Sequence, residues 1–390
     1  MMFFDAPVVF DNSDMCNRGA VVRHDLAAHV RSFPQPAATT PVLLADIETI
    51  GLTGRGGGHF PVAKKLAPLV TGGVDAVVIN GSEGELLSAK DAALLQLRPH
   101  VVLDGAQALA RAVRARRIVV WLHDGADASL ASVRAALEER DASSAHTHEC
   151  VVQIMLGPAR YLTGEASSVI AGVRGEPVLP KFISDPAKPW IDGEPVLVHN
   201  VETHARIGAL SHVGAHGYET TSLVTLSVGS ERRVVEVTPD VTFAELFAAQ
   251  GVTPPRVLLL GGYGGTWYAW PRLAALQLDP AAMRAAGAAF GTGIIAVPPR
   301  DRDELQWSAE ILEWMAGESA GQCGPCIFGL PELAREYRQA VEARHFQQRR
   351  LRKVQETMTL IEGRGACRHP DGAIRMARSA LDVMAEVSNA

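Results

Sequence analysis

Cys323 and Cys326 stand two residues apart in 322-QCGPC-326, and Cys367 follows 41 positions later in 363-GRGACRHPDG-372. Two thiolates at that spacing can share one metal centre, and a third on a distant loop can close it. Three chemistries compete for the set: an iron–sulfur cluster, a zinc ion, and a dithiol redox pair. A thioredoxin-type pair would follow a strand in a βαβ unit, whereas 322–326 joins helical segments. Zinc wants a fourth nitrogen or sulfur, and His369 and His345 are the nearby candidates. The spacing ranks iron–sulfur first and leaves the others open. Cys16 and Cys150 have no partner in pattern and read as inert thiols.

A second candidate is 51-GLTGRGGGHFPVAKK-65, where five glycines precede a His-Phe-Pro turn and two lysines. Bare backbone beside positive charge suits phosphate, because clustered N–H groups and a cation bind anions. The spacing is not that of a P-loop, and His59 stands where a dinucleotide fingerprint would place its third glycine. Either a phosphate cradle or a flexible turn satisfies this stretch taken alone.

Three polar turns complete the set. In 80-NGSEGE-85, at the end of a predicted strand, Glu83 and Glu85 could accept hydrogen bonds from sugar or ribityl hydroxyls or from a ring N–H. The bland alternative is a solvated turn. The stretches 164-GEASS-168 and 199-HNVETHAR-206 could each start a helix, with their hydroxyls as caps.

The elements that position these residues alternate at first. Ala76–Ile79 reads as a buried strand, 86–97 and 104–115 as helices, 117–125 as a strand, 130–140 as a helix and 151–156 as a strand. That order implies a parallel sheet covered by helices. From about Thr220 the chain becomes β-rich, with strands at 221–228, 232–237 and 256–262 and a helix at 242–251. From about Arg302 it is helical, over 303–317, 330–346, 351–363 and 372–388, as in a small bundle.

At 390 residues, two to three domains are expected. Hydrophobic content of 47%, charged content of 21% and a formal charge of −6 describe an ordinary globular chain. They argue against a nucleic-acid surface, and the basic run 347-QQRRLRK-353 reads as the solvated face of a helix. The first ten residues lack a basic n-region and apolar core, so no signal peptide is expected. No window is long and apolar enough to span a bilayer. Five cysteines with one tight pair point to a reducing, cytoplasmic setting.

Taken in order, these stretches resemble the flavin-containing subunit of respiratory complex I and the matching subunits of bidirectional hydrogenases and NAD-linked formate dehydrogenases. The family's G-R-G-G-x-G-F-P-x-x-x-K is similar to 54-GRGGGHFPVAKK-65, and its N-A-D-E-G-E to 80-NGSEGE-85. Its G-E-E-T is similar to 164-GEAS-167, its N-N-V-E-T to 199-HNVET-203, and its E-S-C-G-Q-C-T-P-C to 318-ESAGQCGPC-326. The likeness runs collinearly from about Gly51 to the C-terminus.

The resemblance implies an α/β fold in three parts. These are a Rossmann-like FMN-binding domain (1–218), a β-grasp domain of the soluble-ligand-binding type (219–301) and a C-terminal helical bundle with iron–sulfur cysteines (302–390). It implies that Gly54, Arg55, Gly56 and Lys65 line FMN. Asn80, Ser82, Glu83, Gly164, Glu165, His199, Asn200 and Thr203 would hold its ring, ribityl chain and phosphate, with Glu83 and Glu165 as the catalytic carboxylates. Phe60 and Glu85 fall on positions that meet NADH. Cys323, Cys326 and Cys367 would hold a cluster, [4Fe–4S] or [3Fe–4S], because Ala320 occupies the place of a fourth cysteine. His59, Ser82, Ala166, His199, Leu66, Pro68 and Asp185 also depart from the family pattern; Phe182 could take the aromatic role that Asp185 lacks. The implied activity is oxidation of NADH or NADPH through FMN, with electrons leaving through the cluster to a ferredoxin-like iron–sulfur protein. Two alternatives remain: an electron-transfer protein supplied by another donor, and a non-catalytic scaffold. The oligomeric state is left open.

Overall fold

The computed structural model describes residues 2–11, 21–35, 37–143, 150–185, 193–343 and 348–388. Its strands are β1 (Val8–Asp11), β2 (Val74–Gly81), β3 (Ala115–His123), β4 (Val151–Gly157), β5 (Val196–Asn200), β6 (Ser222–Val228), β7 (Glu231–Val237), β8 (Val257–Leu260), β9 (Thr266–Ala269) and β10 (Ile294–Val297).

The expected parallel sheet is present, in the order β4-β3-β2-β5 with every pairing parallel. Its central strands are apolar on both faces, as a sheet covered on both sides requires. Val77, Ile79, Ile118 and Val120 face a core shared with the helices Pro99–Ala112 and Val201–Gly217, whereas Val78, Val119 and Trp121 face the helix Ala166–Val173. The chain runs from β2 outward through β3 to β4, then returns to add β5 on the other side of β2. The sheet therefore changes direction between β2 and β5, and an open α/β sheet leaves a ligand crevice beyond the carboxyl ends of the strands at such a point. The register places Asn80 beside Asn200 and Ile79 beside His199 there.

The second sheet is mixed, in the order β1-β7-β6-β10-β8-β9. Its first strand, β1, is not assigned by the sequence patterns; it pairs antiparallel with β7, Val8 opposite Val234. The helix Phe243–Ala249 packs on this sheet through Phe243, Leu246 and Phe247, and its start carries a capping box between Thr242 and Glu245. The C-terminal helices Glu304–Gly317, Leu330–Val341, Gln348–Ile361 and His369–Ser388 share one core with β9, which includes Leu312, Leu333, Met358 and Ile374.

Helix limits differ from expectation for local reasons. The helix expected at 86–97 starts at Lys90, because the Glu83 carboxylate accepts from the Asp91 and Ala92 amides and holds 86–89 as a loop. The next starts at Pro99, whose fixed φ suits a first turn, and ends at Ala112 before Arg114 turns left-handed at φ 49°. The last begins at His369 rather than 372. Exposed residues of the basic run lie on Gln348–Ile361, where Lys353 is 2.7 Å from Glu336. Among the described residues no helix is long and apolar enough to cross a membrane.

The helices Pro99–Ala112 and Val201–Gly217 cross at two glycines. A Cβ on Gly105 would lie 1.8 Å from the His204 carbonyl oxygen, and one on Gly208 would lie 2.0 Å from that of Val101. Backbone cannot yield as a side chain does, so Gly105→Ala and Gly208→Ala should each cost about 3 kcal/mol or more. Urea unfolding will read that loss, and wild-type stability in both variants would show that the helices can separate freely.

Candidate flavin and iron–sulfur site

At the crevice, Asn80 Nδ2 donates to the Gly164 carbonyl at 2.8 Å, and its Oδ1 accepts from the Ser82 amide at 3.2 Å. A Cβ at Gly164 would meet the Ser82 carbonyl oxygen at 2.3 Å, so this contact requires glycine. Asn200 caps the helix Val201–Gly217 through the Thr203 amide and donates to both Asp91 oxygens at 3.2 and 3.3 Å. Thr203 Oγ1 in turn accepts from the Arg55 amide at 2.9 Å, and a Cβ at Gly56 would lie 3.9 Å from Asn200 Cβ. The glycine-rich loop, the acidic loop and both polar turns thus form one contiguous surface.

Each carboxylate named from sequence has structural work. Glu83 takes the Ser88 hydroxyl and the first amides of Lys90–Leu97. Glu165 caps Ala166–Val173 through the Ser167 and Ser168 amides at 2.8 and 3.2 Å, and burial raises its pKa against those bonds. Glu85 turns toward the second sheet and accepts from the Tyr263 amide at 2.8 Å and the Leu87 amide at 3.3 Å. The residue keeps some exposed surface, but its carboxylate is enclosed, and burial pushes it up to about 7.

The cations are equally constrained. Lys65 Nζ donates to the Val198 carbonyl at 2.6 Å, and burial lowers it to about 8. Arg55 is buried and donates to Ser222 Oγ at 3.1 Å. Phe60 is half-buried, and its carbonyl closes the glycine turn by accepting from the Gly54 amide at 2.9 Å. His59 adopts φ 45°, a left-handed backbone that glycine takes at little cost, and its Nε2 meets the Gly291 carbonyl at 2.9 Å. That bond ties the loop to the second sheet. Phe182 and Asp185 are both exposed.

The residues fit a flavin nucleotide by one specific sign. Ser82 Oγ, Arg55 Nε, His59 Nδ1, His199 Nε2 and Thr292 Oγ1 are all buried without a protein partner. Four fall on the loops named from sequence, and Thr292 lies 3.0 Å from the Cβ position of Gly57. An unmet buried polar atom costs about 1–3 kcal/mol, so a cluster of them marks where a polar ligand supplies the missing bonds. Thr292 was missed from sequence; its signal was the paired glycines of 291-GTG-293. Tyr161, Tyr263, Asp91 and Glu202 were missed too, and only the tertiary pairing brings them in.

The three cysteines also converge. Cys326 and Ile327 donate their amides to the Cys323 carbonyl in a tight turn leading into Pro325–Gly329. Burial pushes the Cys326 thiol up to about 12, with Cys323 and Cys367 adding to the rise. Burial raises Cys367 as well, and Glu165 adds to it. Zinc would hold two sulfurs about 3.8 Å apart, given Zn–S bonds near 2.3 Å. Among the described residues, only His29, Asp104 and His212 bring three such ligand atoms within 4.8 Å. The three thiols thus do not all lie within that distance of one another, although Cys323 and Cys326 are in contact. His369 Nε2 meets the Met315 carbonyl at 2.8 Å and its Nδ1 is buried without a partner, so the ring keeps one nitrogen open to a metal; His345 and Cys16 lie outside the described residues. Cys323, Cys326, Cys367 and Cys150 are all free thiols, and Cys150 donates to the Ala115 carbonyl.

His59 gives a test. His59→Ala keeps the left-handed strain and loses the bond to Gly291, whereas His59→Gly loses the bond but relieves the strain. The glycine variant should be the more stable by about 1 kcal/mol in chemical unfolding. Equal stabilities would mean that the turn carries no strain.

The comparisons agree with this geometry. Residues 47–209 match the Nuo51 FMN-binding domain, and residues 306–389 match the NADH-ubiquinone oxidoreductase-F iron-sulfur binding region. The F subunit of the NADH-quinone oxidoreductase of Streptomyces coelicolor is 26% identical over 377 residues, covering 88% of this chain and 81% of that protein. Its namesake from Rickettsia bellii is 22% identical over 371 residues, covering 85% of each. In fold, the chain is similar to an NAD+-reducing [NiFe]-hydrogenase in its air-oxidized state, with a TM-score of 0.81 and 22% identity over 95% of this chain and 68% of that one. With the two matched regions in order around the converged site, the chain belongs to the family of NADH:quinone oxidoreductase F-type flavoproteins.

Proposed function

We propose that the chain is an FMN-dependent oxidoreductase that oxidises NADH and passes electrons through an iron–sulfur cluster to a ferredoxin-like iron–sulfur protein. The observation that carries this reading is the seam between the two redox sites. Glu165 caps a helix on the flavin side and lies close enough to Cys367 to influence its thiol, while Gln322, beside Cys323, donates to the Pro180 carbonyl at 3.0 Å. FMN, when bound, supplies the conversion of a two-electron hydride transfer into single-electron steps.

This chain's residues have the following roles in that reading. Gly54, Arg55, Gly56 and Lys65 floor the flavin site, with Lys65 as the counter-charge to phosphate. Asn80, Ser82, His199, Asn200 and Thr203 orient the nucleotide. Glu83 and Glu165 hold the helix ends on either side of it and offer their remaining lone pairs to the ring. Phe60 and Glu85 receive the nicotinamide nucleotide. The three-part division into 1–218, 219–301 and 302–390, with a β-grasp middle unit, belongs to the same reading, although β1 joins the middle unit's sheet. Free thiols suit a reducing, cytoplasmic setting.

The test is an anaerobic absorbance titration with NADH. Flavin bands should bleach at about one equivalent, as two-electron transfer requires. A flavin reduced by dithionite but indifferent to NADH would move the search to another donor. Glu85 adds a pH signature. Because its folded pKa lies near 7, the carboxyl is neutral below that value and becomes the stronger, charged acceptor for a ribose hydroxyl above it. NADH affinity should therefore rise from pH 6 to 8 in the wild type and stay flat in Glu85→Gln. Folding stability runs the other way: a raised carboxyl pKa favours the folded state at low pH. That contribution fades as pH climbs from about 4.5 through 7, by at most about 3 kcal/mol before solvent screening is discounted.

A further inference from the structure

We propose that the Ser319 hydroxyl is the fourth protein ligand of the iron–sulfur cluster. The proposal rests on the reading of Cys323, Cys326 and Cys367 as cluster ligands. A four-iron cluster presents four irons, each needing one outer ligand. Residues 306–389 match an iron–sulfur binding region, yet they hold only those three cysteines. Cys150 is committed elsewhere, on the edge of the parallel sheet. One iron therefore lacks a thiolate.

Ser319 sits where the missing donor is needed. Its hydroxyl donates to the Cys326 sulfur and accepts from the Gly321 amide at 3.0 Å. Gly321 turns left-handed at φ 64°, which reverses the chain between Ser319 and Cys323 so that both reach the same site. The segment is anchored from outside. Arg160 donates to the Gly317 and Ser319 carbonyls at 2.9 and 3.2 Å, and Glu318 accepts from the Tyr161 amide at 2.8 Å.

Of the other oxygen and nitrogen donors nearby, most are held by the protein. Glu165 caps its helix, Asp371 accepts from the Gly363 amide at 2.8 Å, Glu318 holds Tyr161, and His369 Nε2 meets the Met315 carbonyl while its Nδ1 is buried without a partner. Ala320 offers no donor at all. Ser319 differs from these in that its side chain touches a cysteine thiol: its hydroxyl is held only by the Cys326 sulfur and one amide, free to rotate onto iron. Ligation forms one Fe–O bond and breaks the serine O–H bond, with the proton leaving to solvent and no change of oxidation state. An alkoxide is a harder, more basic donor than a thiolate, so it stabilises the oxidised cluster and lowers its reduction potential.

The experiment uses the full chain, reconstituted anaerobically with iron, sulfide and FMN, and compares wild type with Ser319→Ala, Ser319→Cys and Cys16→Ala. FMN content reports folding in each. The readouts are iron and sulfide per chain, Mössbauer spectra and electron paramagnetic resonance. Wild type should hold about four irons, one spectroscopically distinct from the rest. Ser319→Ala should lose about a quarter of its iron and show the paramagnetic signal of an oxidised three-iron cluster. Ser319→Cys should keep four irons, lose the distinct site and gain a higher potential, and Cys16→Ala should match wild type. Four irons with an unchanged spectrum in Ser319→Ala would overturn the proposal, as would a wild type that stops at three irons or a loss that follows Cys16→Ala instead. A wild type that takes no iron would sink the cluster reading itself, whereas failure of NADH to bleach the flavin would leave this result intact.

Discussion

A single buried carboxylate, Glu202, holds the two sheets and the flavin crevice in register. Its side chain is 2% exposed, and it sits in the first turn of the helix Val201–Gly217. Burial alone would raise its pKa, but the Lys90 ammonium and the Arg206 and Arg55 guanidinium groups outweigh burial and hold it near 2. Lys90 reaches it at 3.2 Å from the helix that Glu83 caps, and Arg206 reaches it at 3.2 Å from its own helix. Its oxygen also accepts from the Leu223 amide of β6. Arg206 continues to Glu236 on β7, which accepts from the Phe3 and Phe4 amides beside β1. Withdrawing one member of such a set leaves an uncompensated buried charge, at a cost of about 3–5 kcal/mol. The parallel sheet, the mixed sheet and the N-terminal strand therefore depend on one charge arrangement.

That arrangement explains where the site is. Its residues Asp91 and Glu202 flank Asn200, the cap that meets Asp91 on one side and Thr203 on the other. Thr203 receives the Arg55 amide, and Arg55 donates to Ser222 at the start of β6. The glycine-rich loop is thus fastened at the seam between the sheets by groups that the charge network has already fixed. His59 and Glu85 add two further ties across the seam, to Gly291 and Tyr263.

Much of this was legible in the sequence, for physical reasons that can be named. The parallel sheet announced itself through continuous β-branched runs at Ala76–Ile79 and Ile118–Val120, which only a sheet covered on both faces can bury. The turns at 164–168 and 199–206 were visible as helix starts, but their caps are the Glu165 and Asn200 side chains rather than the expected hydroxyls. The charge network was not visible, because Lys90 and Glu236 are far in sequence from the Glu202–Arg206 pair and each looks like an ordinary surface charge. Strand β1 was missed because four residues of it gain meaning only by pairing with β7, more than 200 positions away. The role of Glu85 was half-legible: its residue type announces an acceptor, but its enclosure against Tyr263 comes from the second sheet.

The same asymmetry governs the cysteines. Spacing revealed Cys323, Cys326 and Cys367, because thiols are rare in this chain and two of them are close in sequence. What spacing could not reveal is the electrostatic setting of these thiols. Burial raises both Cys326 and Cys367, and each neighbouring thiol opposes ionisation of the next. The site therefore disfavours the thiolates that it gathers, and a cluster held there would bring the compensating positive charge. Because Glu165 also opposes ionisation of Cys367, the electrostatics of the cluster pocket and of the flavin-side helix cap are one problem. Charge added beside Glu165 changes the balance at Cys367.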